Sequence, residues 1–363
     1  VTARHYRADL PVWVRAFNDE GRVTARFGAT WDRLLASEVY DRVQGPDEEV
    51  GEADTAGLGR TFPRKITGGL AKPGAAFFTA FDNSPFSAEV LAEFAMRAVT
   101  EEKLGRGEAI DLLGVSFSQV DTAGHNYGPD SHEVMDSVLR LDRTIARLLD
   151  HLDREVGLAR CVIALTADHG IMPLPERVKR LNPGTPAGRV KPAEMDAAAV
   201  KALEARFGAV PKGEAWFTRD NAGIHLRPSA LTARGTTAAE AAKVVRDAWA
   251  ALPYVAAVHT REELLATRRD ADGILGALRR SYRAEGDRDV VYAFKPNFVA
   301  KAGAGVSHGS PYDYETHVPL LFSGAGVPRG ERSEAVSVED LAPTLAALIG
   351  VPAPATATGR RLF

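Results

Sequence analysis

Three apolar runs along the chain predict the strands of a buried sheet. They are Ala109–Val120 (AIDLLGVSFSQV), Leu158–Thr166 (LARCVIALT) and His317–Phe322 (HVPLLF). The first two are apolar on both faces, which is typical of a parallel sheet that helices cover on each side. Each run is followed by polar or turn-forming residues, so each predicted strand has a defined end.

A single amphipathic helix is predicted between the first two strands. Its apolar positions alternate at spacings of four and three and predict one buried stripe, made of Val134, Val138, Leu141, Ile145, Leu148 and Leu152. Asp130 is expected to cap this helix with Glu133 reaching back to it, and Gly157 to stop it. Two further helices are predicted, over Ser87–Lys103 and Val338–Ile349. Strand, helix and strand in this order indicate the doubly wound α/β class.

The composition and the pattern of elements change between residues 173 and 299, which predicts an inserted subdomain. Loops rich in Pro, Gly and Lys alternate there with a strand-like Ala215–Arg227, a helix over Thr237–Ala251 and a strand over Tyr254–His259. The predicted organisation is therefore a main α/β domain made of residues 1–172 and 300–363, interrupted by a cap subdomain of residues 173–299.

The amino-acid composition limits the possible partners and metal ligands of the chain. The 363 residues are 45% apolar and 26% charged, with a net charge of -3. This balance is typical of a folded globular chain and gives no reason to expect nucleic acid as a partner. No apolar run is long enough to span a bilayer. Cys161 is the only cysteine, so any metal must be held by histidine and carboxylate, the ligand set of catalytic zinc.

Two pairs of such residues follow the first two predicted strands. Asp121 and His125 come after the first strand, and Asp168 and His169 after the second. Ligand sites in open α/β sheets lie outside the carboxyl ends of the strands, so the four side chains are expected to converge at one edge. Taken singly, a DxxxH spacing arises by chance, and an Asp-His dipeptide also occurs as a turn with a helix cap.

A third candidate lies in the loop Gly305–Pro311. Its small residues would let the backbone at His308 approach a metal, although a solvated histidine in an ordinary loop is the alternative. Asp313 and Tyr314 flank this loop and could orient it through hydrogen bonds. His132, in the first turn of the long helix, is expected to be exposed.

Taken in order, the motifs DxxxH, ADHG, HGxPYxYxTHVPL and EDLAPTLAALIG resemble the alkaline phosphatase superfamily. The stretch VSFSQVDTAGHNYGPDSHEVMDSVLRLD is most similar to the bacterial alkaline phosphatases related to nucleotide pyrophosphatases/phosphodiesterases, the PafA-like group. The resemblance covers most of the chain. It implies an alkaline-phosphatase-like fold with a doubly wound, mostly parallel sheet.

The resemblance also implies two zinc ions, although manganese tolerates the same ligands. Asp121, His125 and His308 would bind one ion, and Asp168 and His169 the other. The implied activity is hydrolysis of a small phosphorylated substrate, a phosphate monoester, through a covalent phospho-enzyme. A periplasmic or secreted location is expected from the family, and neither nucleic acid nor a membrane is expected as a partner.

The chain departs from the family pattern near its beginning. A further Asp ligand, a Thr or Ser nucleophile, and a Lys and an Arg that hold the phosphoryl oxygens have no match in it. These residues are expected upstream of Val1, and the chain alone is expected to be inactive. A phosphodiesterase or nucleotide pyrophosphatase using the same zinc pair is the alternative activity. A non-catalytic metal-binding remnant is the alternative from another class.

Overall fold

The computed structural model describes residues 5–363, in which helices and short strands follow one another along the chain. The helices are α1 (Val12–Asp19), α2 (Ser37–Gln44), α3 (Ala75–Asp82), α4 (Pro85–Glu101), α5 (Gln119–Tyr127), α6 (His132–Glu155), α7 (Pro175–Leu181), α8 (Pro192–Phe207), α9 (Pro228–Arg234), α10 (Ala238–Ala250), α11 (Arg261–Ala266), α12 (Gly273–Ser281), α13 (Asp313–Thr316) and α14 (Leu341–Leu348). The strands are β1 (Thr30–Trp31), β2 (Arg64–Lys65), β3 (Val162–Thr166), β4 (Gly188–Arg189), β5 (Phe217–Arg219), β6 (Gly223–Leu226), β7 (Val255–Thr260), β8 (Val290–Phe294), β9 (Phe298–Val299) and β10 (Leu320–Gly324). Within residues 5–363, no helix is both long and apolar enough to cross a bilayer.

The chain folds into two compact units. The first ends at His169 and resumes over Val318–Phe363, and the second is Gly170–His317. The predicted insertion, residues 173–299, lies inside the second unit, which extends further at both ends. Its division from the rest of the chain as a cap stays a prediction.

Residues 300–317 belong to the second unit because an apolar cluster and an arginine hold them there. The buried members of the cluster are Met172, Leu174, Val299 and Val306. Arg189, on β4, donates to the backbone oxygens of Lys301 at 3.2 Å and Gly305 at 2.8 Å. Neither the cluster nor the arginine contacts could be read from the local sequence pattern, so the predicted boundary falls earlier in the chain.

The core of the first unit is aromatic and involves α3, α4 and the paired strands β1 and β2. Its buried members include Phe17, Trp31, Phe62, Phe77, Phe81 and Phe86. The Trp31 ring meets the Phe62 ring edge to face, with centroids 5.2 Å apart. Helix α4, predicted over Ser87–Lys103, is confirmed and packs along α6. This core therefore supports the long helix that follows the candidate ligands Asp121 and His125.

Helix α6 confirms the predicted helix, but its most deeply buried side chains are mostly not those of the predicted stripe. Of the predicted apolar stripe only Leu148 is buried, and Val138 is 50% exposed. The N-terminal half instead buries Glu133, Asp136 and Ser137. Each of these polar groups has a partner on another element, and such partners offset the cost of burying a polar group. The spacing of apolar residues carries no information about those partners.

Residues 109–120 do not form the predicted strand. Ile110 and Leu112 are 62% and 84% exposed, and residues 110–117 have no regular secondary structure. An apolar run becomes a strand only where a neighbouring strand satisfies its backbone groups. None of the strands described in residues 5–363 pairs with this segment. It leads directly into α5, which begins at Gln119.

The other two predicted strands are confirmed as β3 and β10, which pair with each other antiparallel. Leu165 and Leu321 are direct partners across this pair. Helix α14 confirms the helix predicted over Val338–Ile349 and packs on β3. Asp168 and His169 follow the carboxyl end of β3.

The second unit is built on an antiparallel sheet with the strand order β5, β6, β8, β7. Helices α8 and α10 of this unit pack together. The core of the unit includes Met195, Trp216 and Trp249. Strand β7 and helix α10 confirm the elements predicted over Tyr254–His259 and Thr237–Ala251.

The strand predicted over Ala215–Arg227 is a hairpin made of β5 and β6. Asp220 makes the turn, because its Oδ1 accepts from Ala222 N at 2.9 Å and Gly223 N at 3.0 Å. A side chain that binds the amides two and three residues on replaces a backbone turn. The prediction joined two strands that this Asp turn separates.

Candidate metal centre

Helix α5 places Asp121 and His125 side by side, because residues four positions apart share one face of an α-helix. Asp121 Oδ2 lies 3.5 Å from His125 Nε2. The helix ends at Tyr127, and Gly128 caps it with a φ of 81°, a value that favours glycine. The pair is therefore presented by a helix and not, as predicted, by the end of a strand.

The other oxygen of the Asp121 carboxylate faces the second predicted pair. Asp121 Oδ1 lies 4.0 Å from His169 Nε2, and His169 Nε2 lies 3.6 Å from Asp168 Oδ2. Asp121 thus stands between two imidazoles. Four of the five candidate ligands are successive neighbours within the first unit.

Packing fixes these four side chains unequally. The side chains of Asp121, His125 and His169 are 36%, 28% and 25% exposed, whereas that of Asp168 is 88% exposed. The first three are held by their surroundings and still open to a dissolved ion. Asp168 is the candidate that packing constrains least.

Two of the three separations match those of ligand atoms that share one metal ion. Two ligand atoms bound to one zinc at a tetrahedral angle lie about 3.3–3.6 Å apart. The Asp121–His125 and Asp168–His169 separations fall in that range. The 4.0 Å between Asp121 and His169 is slightly longer. The donor set, carboxylate and imidazole, also suits zinc.

An Asp–His distance alone does not identify a metal ligand. In the second unit, His225 Nε2 lies 3.6 Å from Asp220 Oδ2. Asp220 is also held by the Arg288 guanidinium at 2.8 Å, so that pair belongs to an ion-pair network. The arrangement around Asp121 differs because one carboxylate faces two imidazoles.

His308 lies in the second unit, in the loop between β9 and α13. Two amides of this loop are held by Glu315, the residue that follows Asp313 and Tyr314, because its Oε2 accepts from Gly309 N and Ser310 N. The Tyr314 hydroxyl accepts from Asn297 N, outside the loop, at 3.4 Å, and it also interacts with the Ser310 side chain within the loop. Glu315 is 3% exposed, and sequence reasoning missed it because nothing local marks a glutamate as buried.

A buried charged group behind α5 was also missed. Arg64 donates to Glu133 Oε1 at 2.5 Å, and both side chains are fully buried. The Arg64 guanidinium lies 4.5 Å from the centroid of Tyr127, the last residue of α5. The neighbouring Asn126 is held by Thr55, whose hydroxyl donates to its Oδ1 at 3.0 Å. These contacts fix the C-terminal end of the helix that carries Asp121 and His125.

Two predictions at the start of α6 are wrong. The N-cap is Ser131, whose side chain accepts from Val134 N, and not Asp130. Glu133 cannot reach back to a cap because its carboxylate is bound to Arg64. His132 is 1% exposed rather than exposed, and its Nε2 lies 2.8 Å from the backbone oxygen of Gly45.

The sequence model of a family described as "Type I phosphodiesterase / nucleotide pyrophosphatase" matches residues 3–303. Alkaline phosphatase PhoV of Synechococcus elongatus is 25% identical over 370 residues, an alignment that covers 99% of this chain and 63% of PhoV. Alkaline phosphatase PhoK of a Sphingomonas species is 30% identical over 290 residues, covering 76% of this chain and 50% of PhoK.

The fold is also that of a solved phosphatase. The crystal structure of alkaline phosphatase PafA superimposes with a TM-score of 0.89 at 24% identity. The match covers 99% of this chain and 67% of PafA, which confirms the predicted α/β, alkaline-phosphatase-like fold. The chain spans a little under two thirds of PhoV and half of PhoK.

Proposed function

This chain belongs to the type I phosphodiesterase/nucleotide pyrophosphatase family, and from that membership we propose that its protein hydrolyses phosphate esters at a two-metal centre. The observation that carries the proposal is the position of the Asp121 carboxylate between His125 and His169, at 3.5 and 4.0 Å. In a member of this family, a carboxylate between two imidazoles is better explained by metal binding than by an Asp–His ion pair.

The proposed ligand set follows the distances and the motifs together. Asp121 and His125 bind one ion with His308, which is assigned from its sequence motif. Asp168 and His169 bind the other. Zinc is the proposed metal, because imidazole and carboxylate are its ligands in catalytic sites. When bound, such a pair stabilises the entering and leaving oxygens of a phosphoryl transfer.

The residues of the chain contribute orientation and charge. Helix α5 holds the Asp121 carboxylate and the His125 imidazole on one face, so neither has to be ordered when the substrate arrives. The Arg64 guanidinium against Tyr127 and the Thr55 hydroxyl on Asn126 keep that helix end in place. The proposed reaction passes through a covalent phospho-enzyme, and no hydroxyl of this chain is assigned as its nucleophile.

Phosphate monoesters are the proposed substrates. The two relatives described above are both named alkaline phosphatases, which favours a monoester over a diester. The family description favours the alternative, a phosphodiesterase or nucleotide pyrophosphatase. Rates of hydrolysis of p-nitrophenyl phosphate and methyl p-nitrophenyl phosphate by the purified full-length protein separate the two. Faster hydrolysis of the methyl diester would exclude the monoester proposal.

Metal analysis tests the centre independently of activity. His308→Ala is expected to lose about one zinc per chain relative to the wild type, because its ion would keep only Asp121 and His125. His225→Ala is the matched control, since His225 pairs with an Asp at 3.6 Å outside the proposed centre. Unchanged zinc content in His308→Ala would refute the assignment of His308. Zinc binding by the full-length protein without hydrolysis of either ester would favour the non-catalytic alternative.

A further inference from the structure

One buried carboxylate binds two consecutive amides of the loop that carries His308. Glu315 Oε2 accepts from Gly309 N at 2.5 Å and from Ser310 N at 2.6 Å, and Glu315 is 3% exposed. A carboxylate withdrawn from water is stabilised by charge-assisted hydrogen bonds, which are stronger than neutral ones. The two bonds fix the backbone immediately after His308.

The backbone of the loop is shaped for this contact. Two successive amides converge on one oxygen only when the residues between them leave the extended conformation. Gly309 has a φ of 116°, a value that disfavours any side chain. A Cβ at this position would meet nothing within 4 Å. The glycine is therefore required by the backbone angle and not by lack of space.

The main chain of the same glutamate binds the segment that follows His169. The Glu315 backbone oxygen accepts from Gly170 N at 2.7 Å. A Cβ on Gly170 would lie 2.3 Å from the backbone oxygen of Tyr314 and 3.3 Å from Glu315 Cα. The two backbones therefore approach so closely that only glycine fits at position 170.

We propose that Glu315 is a positioning residue for the metal centre: its side chain fixes the backbone beside His308, and its carbonyl fixes the backbone beside His169. This inference rests on the metal centre proposed above. It assigns to one residue the placement of two candidate ligands that lie 139 positions apart in the sequence (308 minus 169). Outer groups that orient ligands typically change metal affinity by about 10–100-fold when removed.

The test is titration of the apoprotein with Co²⁺, whose visible absorption reports the number and geometry of its ligands. Glu315→Asp keeps the charge but is one methylene shorter, so its carboxylate cannot reach both amides. Glu315→Asp and Glu315→Ala are expected to bind Co²⁺ at least tenfold more weakly than the wild type, with altered spectra. Glu315→Gln keeps an oxygen at the same reach and is expected to remain within about threefold of the wild type.

A matched control separates ligand placement from general stability. Asp289→Ala removes a carboxylate of the same unit that accepts a backbone amide, Leu226 N, at 2.7 Å. It is expected to lower stability and leave the Co²⁺ spectrum unchanged. Wild-type affinity and spectrum in Glu315→Asp would overturn the proposal, and this variant decides the question if Glu315→Ala does not fold.

Hydrogen exchange distinguishes failure of this inference from failure of the proposed function. The amides of Gly309 and Ser310 are expected to be protected in the wild type and to exchange faster in Glu315→Asp, with or without metal. A wild type that binds no Co²⁺ would refute the metal centre even if these amides behave as expected. A wild type that binds Co²⁺ while the amides exchange equally fast in both proteins would refute the role of Glu315 alone.

Discussion

Arg64 and Glu133 form an ion pair whose side chains are both fully buried, with 2.5 Å between Nη2 and Oε1. Glu133 lies in the first turn of α6, and the Arg64 guanidinium also lies over the ring of Tyr127 at the end of α5. Arg64 further donates to the backbone oxygen of Leu58 at 3.0 Å. One guanidinium therefore joins β2, a loop and the two helices around the candidate centre.

Replacing Arg64 with Leu is expected to destabilise the chain by about 3–5 kcal/mol, because it leaves the Glu133 carboxylate buried without its cation. Urea denaturation followed by circular dichroism measures the change. Arg26→Leu is the control, since Arg26 pairs with Glu89 at 3.2 Å near the surface and should cost less than about 1 kcal/mol. Equal losses in the two variants would contradict the importance of the buried pair.

Glu52 is expected to make stability depend on pH. Burial raises the pKa of Glu52 to about 9, and the nearby Glu133 carboxylate adds to the rise. The folded chain therefore keeps a proton that the unfolded chain loses above pH 4.5. The contribution of Glu52 to the free energy of unfolding is therefore largest below about pH 4.5. It is lost as the pH rises towards 9, by at most about 1.4 kcal/mol per pH unit.

Glu52→Gln removes the titrating carboxyl group. The free energy of unfolding of this variant should therefore fall less steeply with rising pH than that of the wild type, by at most about 1.4 kcal/mol per pH unit. Free energies of unfolding at pH 5.5, 7.0 and 8.5 measure it for the wild type and the variant. Glu48→Gln, at a side chain that is 64% exposed, should leave the slope unchanged. If wild type and Glu52→Gln show parallel pH profiles, Glu52 is not protonated in the folded chain.

Asp136→Asn is expected to destabilise the chain by about 2–4 kcal/mol. Both oxygens of the Asp136 carboxylate accept hydrogen bonds, and the amide nitrogen of Asn cannot accept one. Asp136 accepts from Trp31 Nε1 at 2.7 Å, Tyr40 OH at 2.6 Å and Leu34 N at 2.7 Å. Thermal unfolding checks the loss, with the exposed Asp142→Asn on the same helix as the control. A loss below about 0.5 kcal/mol would show that this network contributes little.

Asp121→Ala is expected to weaken zinc binding at least tenfold more than Asp168→Ala, because Asp121 faces two imidazoles and Asp168 is largely exposed. Competition with a chromophoric chelator measures both affinities. Asp220→Ala, which breaks the Asp–His pair of the second unit, is the control and should bind like the wild type. Equal affinities in Asp121→Ala and Asp168→Ala would contradict the greater contribution expected of Asp121 among the proposed ligands.

Local patterns predicted four of the longer helices, α4, α6, α10 and α14, and missed α8. For α4 and α6 the spacing of apolar residues carried the prediction, because that spacing is typical of a helix with one covered face. The patterns failed where contacts with distant parts of the chain decide whether a segment forms a strand or which side chains are buried. Residues 109–120 have strand-like composition, yet no described strand pairs with them, and α6 buries Asp136 in preference to Val138.

The candidate site shows the same division. The motif spacing was enough to name Asp121, His125, Asp168, His169 and His308. It did not identify Glu315, nor the ion pair of Arg64 with Glu133, whose members lie 69 positions apart in the sequence. The contact from Glu315 to Gly309 and Ser310 is local, but only folding withdraws that glutamate from water.

The sequence by itself determined the family of this protein and four of its longer helices, and it named the carboxylates and imidazoles that are proposed to bind metal. Residue identity and spacing carry that information directly. The tertiary structure decided that α5, and not a strand, presents Asp121, and that one carboxylate stands between His125 and His169. It also decided which charged groups are buried, because burial depends on partners that are distant in the sequence and meet only when the chain folds.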